Sequence, residues 1–363
     1  MRVVFRADAS TQIGTGHVMR CLTLADALRE RGAQCDFVCR MHPGNLLDLI
    51  RARGYEAHSL PMIDLPSMRH SGARHDHAGW LGSDWVSDAQ QTLVAMRGVP
   101  VDWLVVDHYA LDARWEKQLG AHCRKLLVID DLADRPHNCD LLLDQNLNRR
   151  AADYGELCPT QTVLLVGPDY ALLRPDFAKL RSYSFARRSE GRLERLLISM
   201  GGVDKDNTTG GVLNVLMSCN LPEGCKITVV MGVFAPWLAQ VRAQVEQMNS
   251  VEVLANVQNM AQLIAESDLA IGAAGASALE RCCLGVPTLT MILADNQRGG
   301  ALALSKAGAV SLLGAGNCLS LELSAGIADL RVVQNMQRMQ EACRSVCDGM
   351  GVLRVVEVMS NAN

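Results

Sequence analysis

Aromatic residues are scarce in this 363-residue chain: phenylalanine, tyrosine and tryptophan together make up 4%. That argues against the stacking platforms that hold single-stranded nucleic acid. A basic excess is missing too. With 35 lysines and arginines against 39 aspartates and glutamates, the net charge of −4 argues against a general binder of phosphate backbones. No apolar run reaches the roughly 18–20 residues of a membrane span, and the most apolar stretch, 267–294, is broken by Glu280 and Arg281. The opening Met1-Arg2-Val3-Val4-Phe5-Arg6 reads as a strand that soon meets charge, not as a secretory leader. Cys-x-x-Cys does not occur, and the thirteen cysteines are odd in number and thinly spread, so reduced thiols in a cytoplasm are expected. His70, His75 and His77 cluster in a His- and Gly-rich loop, 61–83, with no cysteine at zinc spacing. Core cysteines and a solvated loop are the reading, with no metal site and no cofactor.

What is present is a regular alternation. At 49% hydrophobic, the chain can bury one large core or two medium ones, and its length suggests two domains of roughly 100–200 residues. Val3-Val4-Phe5 is followed by helical spacing at Val18, Cys21, Leu22, Ala25 and Leu28. Apolar runs at Cys35–Cys39, Val101–Asp107, Lys125–Asp130 and Asp140–Asp144 continue the pattern. The alternation pauses at a polar, basic stretch with Pro168 and Pro175. It restarts at Leu196-Leu197-Ile198 and runs on through Lys226–Met231, Val251–Leu254, Leu269–Ile271 and Thr288–Ile292. The expectation is α/β, two Rossmann-like, doubly wound domains facing a central cleft, with ligands beyond the carboxyl ends of the strands. The boundaries read as 1–167, a linker at 168–192, and 193–363, with the last helix packing back on the first domain.

Three constellations carry chemistry. Ile13-Gly14-Thr15-Gly16-His17-Val18-Met19-Arg20 joins the first strand to the first helix, a Gly-rich turn whose helix N-terminus offers N–H groups to an anion. Met19 or Arg20 stands where a dinucleotide fingerprint has its third glycine, and the second strand ends at Cys39-Arg40 without an acidic tip, which counts against nicotinamide. His17 is either a general base, kept neutral by the helix N-terminus, or a capping or packing histidine. Asp107 and Tyr109, at the end of an interior strand, are either cleft residues or a strand stop. Asp130-Asp131 carries the same ambiguity, and the paired carboxylates of a glycosidase are disfavoured because adjacent side chains diverge. In the second half, Met200-Gly201-Gly202, the small residues 272–278 with Gly275, Ala276 and Ser277, then Glu280, and Asn296-Gln297 form a combination. It reads as a diphosphate cradle, a carboxylate for ribose hydroxyls and further contacts one βα unit later.

Phe5-Arg6-Ala7-Asp8-Ala9-Ser10 with Ile13 to Ala25 resembles one family: the UDP-2,4-diacetamido-2,4,6-trideoxy-β-L-altropyranose hydrolases of pseudaminic acid biosynthesis. Trp80-Leu81-Gly82, Asp107-His108-Tyr109, Asp130-Asp131, Cys139-Asp140, Tyr170 to Arg174 and Met200-Gly201-Gly202 fit it as well. The second half resembles the UDP-binding half of the GT-B superfamily, which includes the peptidoglycan N-acetylglucosaminyltransferase. The resemblance implies a GT-B fold and metal-independent hydrolysis with inversion between the anomeric carbon and UDP. It makes His17 the base and puts Tyr109 and Asn296 in the sugar site. Glu280 would hold ribose, the 272–278 turn the diphosphate, and the backbone near Val257 and Met260 the uracil. Gly14, Gly16, Arg20, Asp107, Arg174, Gly201, Gly202, Gly275, Ala276, Ser277 and Gln297 complete the expected substrate contacts. The partner is then a UDP-sugar, in a cytoplasmic monomer or weak homo-oligomer acting in flagellin glycosylation. The alternative is a UDP-sugar glycosyltransferase with a sugar or lipid acceptor; a third is a nucleotide-sugar-binding regulator without turnover.

Overall fold

The computed structural model describes residues 1–63, 77–248, 250–314 and 316–362, so His70 and His75 lie outside the described residues. Two units are present, Met1–Leu172 with Gly351–Asn363, and Leu173–Met350.

In the first unit the chain runs β1 (Arg2–Ala7), α1 (Gly16–Glu30), β2 (Gln34–Arg40), α2 (Leu47–Ala52), β3 (Glu56–Leu60), α3 (Trp85–Ala95) and β4 (Val101–Asp107). It continues through α4 (Ala113–Gly120), β5 (Cys123–Ile129), β6 (Leu141–Asp144) and β7 (Val163–Val166). All seven strands are parallel, in the order β3-β2-β1-β4-β5-β6-β7. Period-two alternation explains why β1 is apolar throughout yet serves two cores. Val3, Phe5 and Ala7 enter one layer with Leu22 and Leu28 of α1. Val4 enters the other with Leu104, Val106 and the fully buried Trp115 of α4. Strand order reverses between β1 and β4, and that switch point is where such sheets open a crevice at their carboxyl ends.

The second unit contains α5 (Pro175–Arg187), β8 (Arg195–Ser199), α6 (Thr208–Leu216), β9 (Lys226–Met231), α7 (Leu238–Val245), β10 (Val251–Ala255), α8 (Met260–Ala265) and β11 (Leu269–Ala273). After these come α9 (Ser277–Cys283), β12 (Thr288–Met291), α10 (Arg298–Lys306), β13 (Ser311–Leu313), α11 (Leu319–Leu330) and α12 (Val333–Val346). Its parallel sheet has the order β10-β9-β8-β11-β12-β13, with the switch between β8 and β11.

The expected linker at 168–192 is not one. Pro175 is the first residue of α5, where proline's fixed φ suits a helix start, and Phe177, Ser184 and Phe185 are buried. The Ser184 hydroxyl donates to the Leu284 carbonyl at 2.7 Å, and buried Arg188 donates to the Ser267 carbonyl at 2.6 Å. The division therefore falls at Leu172/Leu173. The expected domain 193–363 also ends early. The last helix, α13 (Gly351–Asn361), is part of the first unit and buries Val352, Val355, Val356 and Met359 in the α1 layer. All thirteen cysteines are free thiols, most of them buried. Among the described residues no helix is long and apolar enough to cross a membrane.

Candidate active site

The turn after β1 is built by its own backbone. Ser10 and Gly14 exchange N–H···O bonds of 3.3 and 2.8 Å, and the Ser10 hydroxyl accepts from the Ile13 amide at 2.8 Å. Gly14 sits at φ +84°, a left-handed conformation that a side chain would strain. The turn delivers His17 and Arg20 to one face of the first helical turn, three residues apart.

Both side chains meet Asp107, the last residue of β4. His17 Nδ1 lies 2.5 Å from Asp107 Oδ1, while Arg20 donates through Nε to Oδ2 at 2.6 Å and through Nη2 to Oδ1 at 2.7 Å. Burial alone would raise the Asp107 carboxyl; the Arg20 charge, then His17, outweigh it and hold the group well below the usual carboxylate range. A charged Asp107 only accepts, so Nδ1 is the ring nitrogen that donates to it. Arg20 also bonds Asp131 at 2.8 Å, and Asp131 accepts the Tyr109 hydroxyl at 2.5 Å. Burial and the Asp131 charge push the Tyr109 phenol well above its ordinary value, so it stays a neutral donor. Its ring meets that of His17 edge to face, 4.5 Å between centroids.

The two adjacent aspartates part company. Asp130 turns back to accept the Leu132 and Ala133 amides and the Tyr154 hydroxyl, and it pairs with Arg135. Asp131 faces Arg20 and Tyr109. The sequence leaves the two aspartates undivided, each a cleft residue or a strand stop; the signal that separates Asp131 is the arginine on the same helix face as His17.

In the second unit the expected residues lie at the carboxyl ends of β8, β10, β11 and β12. Gly201 and Gly202 form the turn after β8, and Gly201 has φ +91°. Gly275 and Ala276 precede α9, Ser277 opens it, and Glu280 lies in its first turn. Burial raises the Glu280 carboxyl against the opposing charges of Arg174 and Arg281. Arg174 donates to the Gln258 carbonyl at 3.2 Å, in the loop between Val257 and Met260 that leads into α8. Asn296 and Gln297 sit half-buried on a short turn, Asp295–Gln297, ahead of α10. The Gln297 side chain accepts from the Leu293 amide at 3.0 Å, and its Nε2 would lie 3.6 Å from a Cβ added at Gly275. Gly16 has open space where a Cβ would be.

Arg281 was not foreseen as part of this arrangement. It is 2% exposed and donates to the Ala273 carbonyl at 2.6 Å and the Ser277 hydroxyl at 3.0 Å, a cation fixed directly beneath the 272–278 turn. A Cβ on Gly272 would come within 2.8 Å of its guanidinium, so the small residue in β11 makes room for the charge. Among the described residues, Asp36, Glu56 and His58 have the spacing of metal ligands, but Asp36 already pairs with Arg2.

Residues 208–347, within the second unit, match the glycosyltransferase family 28 C-terminal domain. The UDP-2,4-diacetamido-2,4,6-trideoxy-β-L-altropyranose hydrolase of Campylobacter jejuni is 27% identical over 309 residues, covering 85% of this chain and 97% of that one. Among solved structures, MurG of Acinetobacter baumannii aligns with a TM-score of 0.69 at 15% identity, over 99% of each chain. Alr3699/HepE of Anabaena, solved in complex with UDP and glucose, aligns with a TM-score of 0.55 at 15% identity, over 99% of this chain and all of that one. The chain thus has a GT-B type fold, with residues 208–347 of its second unit similar to the glycosyltransferase family 28 C-terminal domain and most of its length similar to a UDP-sugar hydrolase.

Proposed function

We propose that this protein hydrolyses UDP-2,4-diacetamido-2,4,6-trideoxy-β-L-altropyranose to UDP and the free sugar, as a cytoplasmic step of pseudaminic acid biosynthesis for flagellin glycosylation. The observation that carries the reading is the His17–Asp107–Arg20 constellation, supported by the resemblance to the Campylobacter hydrolase. Nε2 of His17 takes a proton from water as the water oxygen bonds to the anomeric carbon. The bond from that carbon to the β-phosphate oxygen breaks, and its electron pair leaves with UDP. Asp107 keeps the imidazole in the required tautomer and faces the charge that develops on it, while Arg20 holds Asp107 ionised.

On this reading the second unit receives UDP. The 272–278 turn and the Arg281 charge beneath it offset the negative charge that grows on the diphosphate, so no carboxylic acid needs to protonate the leaving group. Glu280 accepts ribose hydroxyls, and backbone near Val257 and Met260 meets the uracil. In the first unit Tyr109, beside His17, meets the sugar. The reaction uses no metal, because water activation is assigned to His17 and charge stabilisation to fixed protein groups.

A single displacement by water inverts the anomeric centre. Proton NMR spectra taken before mutarotation should therefore show the inverted anomer first; a retained configuration would give one of Asp107, Asp130 or Asp131 the role of nucleophile and reduce that of His17. The second reading, a glycosyltransferase, is favoured by the family 28 domain match. It would show UDP release only with an acceptor present.

A further inference from the structure

We infer that Trp80, stacked on Tyr109 beside His17, and His77, edge-on to both rings, form an aromatic wall that selects a sugar whose face carries methyl groups over a fully hydroxylated one. The inference rests on the hydrolase reading and names the feature of the substrate that the first unit recognises. Trp80 lies on a short turn, Ala78–Leu81, with its ring 5.7 Å from that of Tyr109 and inclined by 27°. His77 meets Trp80 edge to face at 4.5 Å and Tyr109 at 5.3 Å. With the His17–Tyr109 contact, four rings form one contiguous cluster that includes the candidate base.

The turn that carries Trp80 is pinned. Leu81 and Ser83 are buried at 3% and 1% exposure, and the Ile63 amide donates to the Gly82 carbonyl at 3.1 Å. A Cβ on Gly82, which has φ +67°, would come within 2.8 Å of the His42 ring and 2.9 Å of the Arg40 side chain, so backbone rests directly on those two groups. Trp80 itself stays half-buried, whereas Trp103 and Trp115, which do serve packing, are 1% and 0% exposed. A rigidly held, partly open indole in a chain with so few aromatics is suited to a ligand's surface.

The chemistry selects. An aromatic face attracts C–H groups, and a hydroxyl pressed against it gives up its hydrogen bonds to water without replacement. A sugar without a C6 hydroxyl and with two acetamido groups presents three methyls; a common hexose presents polar oxygens at the same places.

The test uses the His17→Asn protein, so that the sugar nucleotide stays intact, and saturation-transfer NMR with UDP-2,4-diacetamido-2,4,6-trideoxy-β-L-altropyranose. The C6 and acetamido methyl protons should take up more saturation than the other sugar protons. Trp80→Ala should cut that transfer several-fold and weaken the sugar nucleotide by about 10-fold relative to UDP alone. Trp80→Phe should restore most of both, and UDP affinity should not move. Methyl transfer that survives Trp80→Ala, or a parallel loss of affinity for UDP and UDP-sugar, would overturn the wall. The hydrolase reading is scored separately, by UDP release from the wild-type protein, and its failure leaves the methyl-transfer result to stand or fall alone.

Discussion

A histidine near a helix start becomes a candidate base through what touches its far nitrogen. Asp107 does so here, and the residue is fully buried between His17 and Arg20. Asp107→Asn keeps the shape but presents an amide that can donate to Nδ1, which would turn the imidazole to the wrong tautomer. We expect turnover to fall by about 10²–10⁴-fold with UDP affinity nearly unchanged, as steady-state kinetics and calorimetry would show. A loss confined to KM would remove Asp107 from the chemistry. In the second unit, Glu280→Ala removes a charge-assisted hydrogen bond worth about 1.5–3 kcal/mol, so UDP should bind roughly 10- to 100-fold more weakly. An unchanged dissociation constant would take Glu280 out of the candidate UDP subsite. His17 and Asp107 were visible in the sequence because a Gly-rich turn and a strand end fix where a side chain goes. The pairing of Asp131 with Arg20 and the place of Arg281 beneath its turn were not, because they depend on a partner 111 residues away and on a glycine in the neighbouring strand.

At the scale of elements, the carboxyl ends of β1, β2 and β4 gather an unusual density of buried charge. Arg6 bonds both Asp8 and Asp88, Arg40 bonds Asp88, and the Asp8 carboxylate accepts the Arg40 amide at 2.6 Å. Burial raises the carboxyls of Asp8, Asp107 and Asp130. Arg6, Arg20 and Arg135, with nearby histidines, outweigh it, so all three are held well below the ordinary range. Groups with depressed folded values stabilise the fold fully above the unfolded carboxylate value near 3.9, and that contribution is lost as pH falls below it. The urea midpoint, followed by intrinsic tryptophan fluorescence, to which four of the five indoles (Trp80, Trp85, Trp103 and Trp115) contribute from the first unit, should therefore drop between about pH 5 and pH 3. The drop should be smaller in Asp107→Asn, which has one fewer such carboxylate. Equal drops in both proteins would contradict the assignment. Ten strands were legible because their apolar runs are short and regular; the edge strands β3, β7 and β13 were not picked out. α5 was not, since its Pro175 and its basic residues resemble a linker until Phe177 and Phe185 are seen to be buried. The return of α13 to the first unit agrees with the expectation that the last helix packs back on the first domain.

For the whole molecule, the two-sheet GT-B architecture hosts UDP-sugar chemistry of more than one kind, so fold alone does not separate water from an acceptor as the attacking group. The separation rests on His17. The decisive measurement is UDP release from UDP-2,4-diacetamido-2,4,6-trideoxy-β-L-altropyranose with EDTA present and no acceptor, in the wild-type protein and in His17→Asn. The account predicts one UDP and one free sugar per substrate from the wild type, and turnover lower by about 10²–10⁴-fold in the variant. Release that requires an added acceptor or a divalent ion, or a variant that turns over near the wild-type rate, would contradict it.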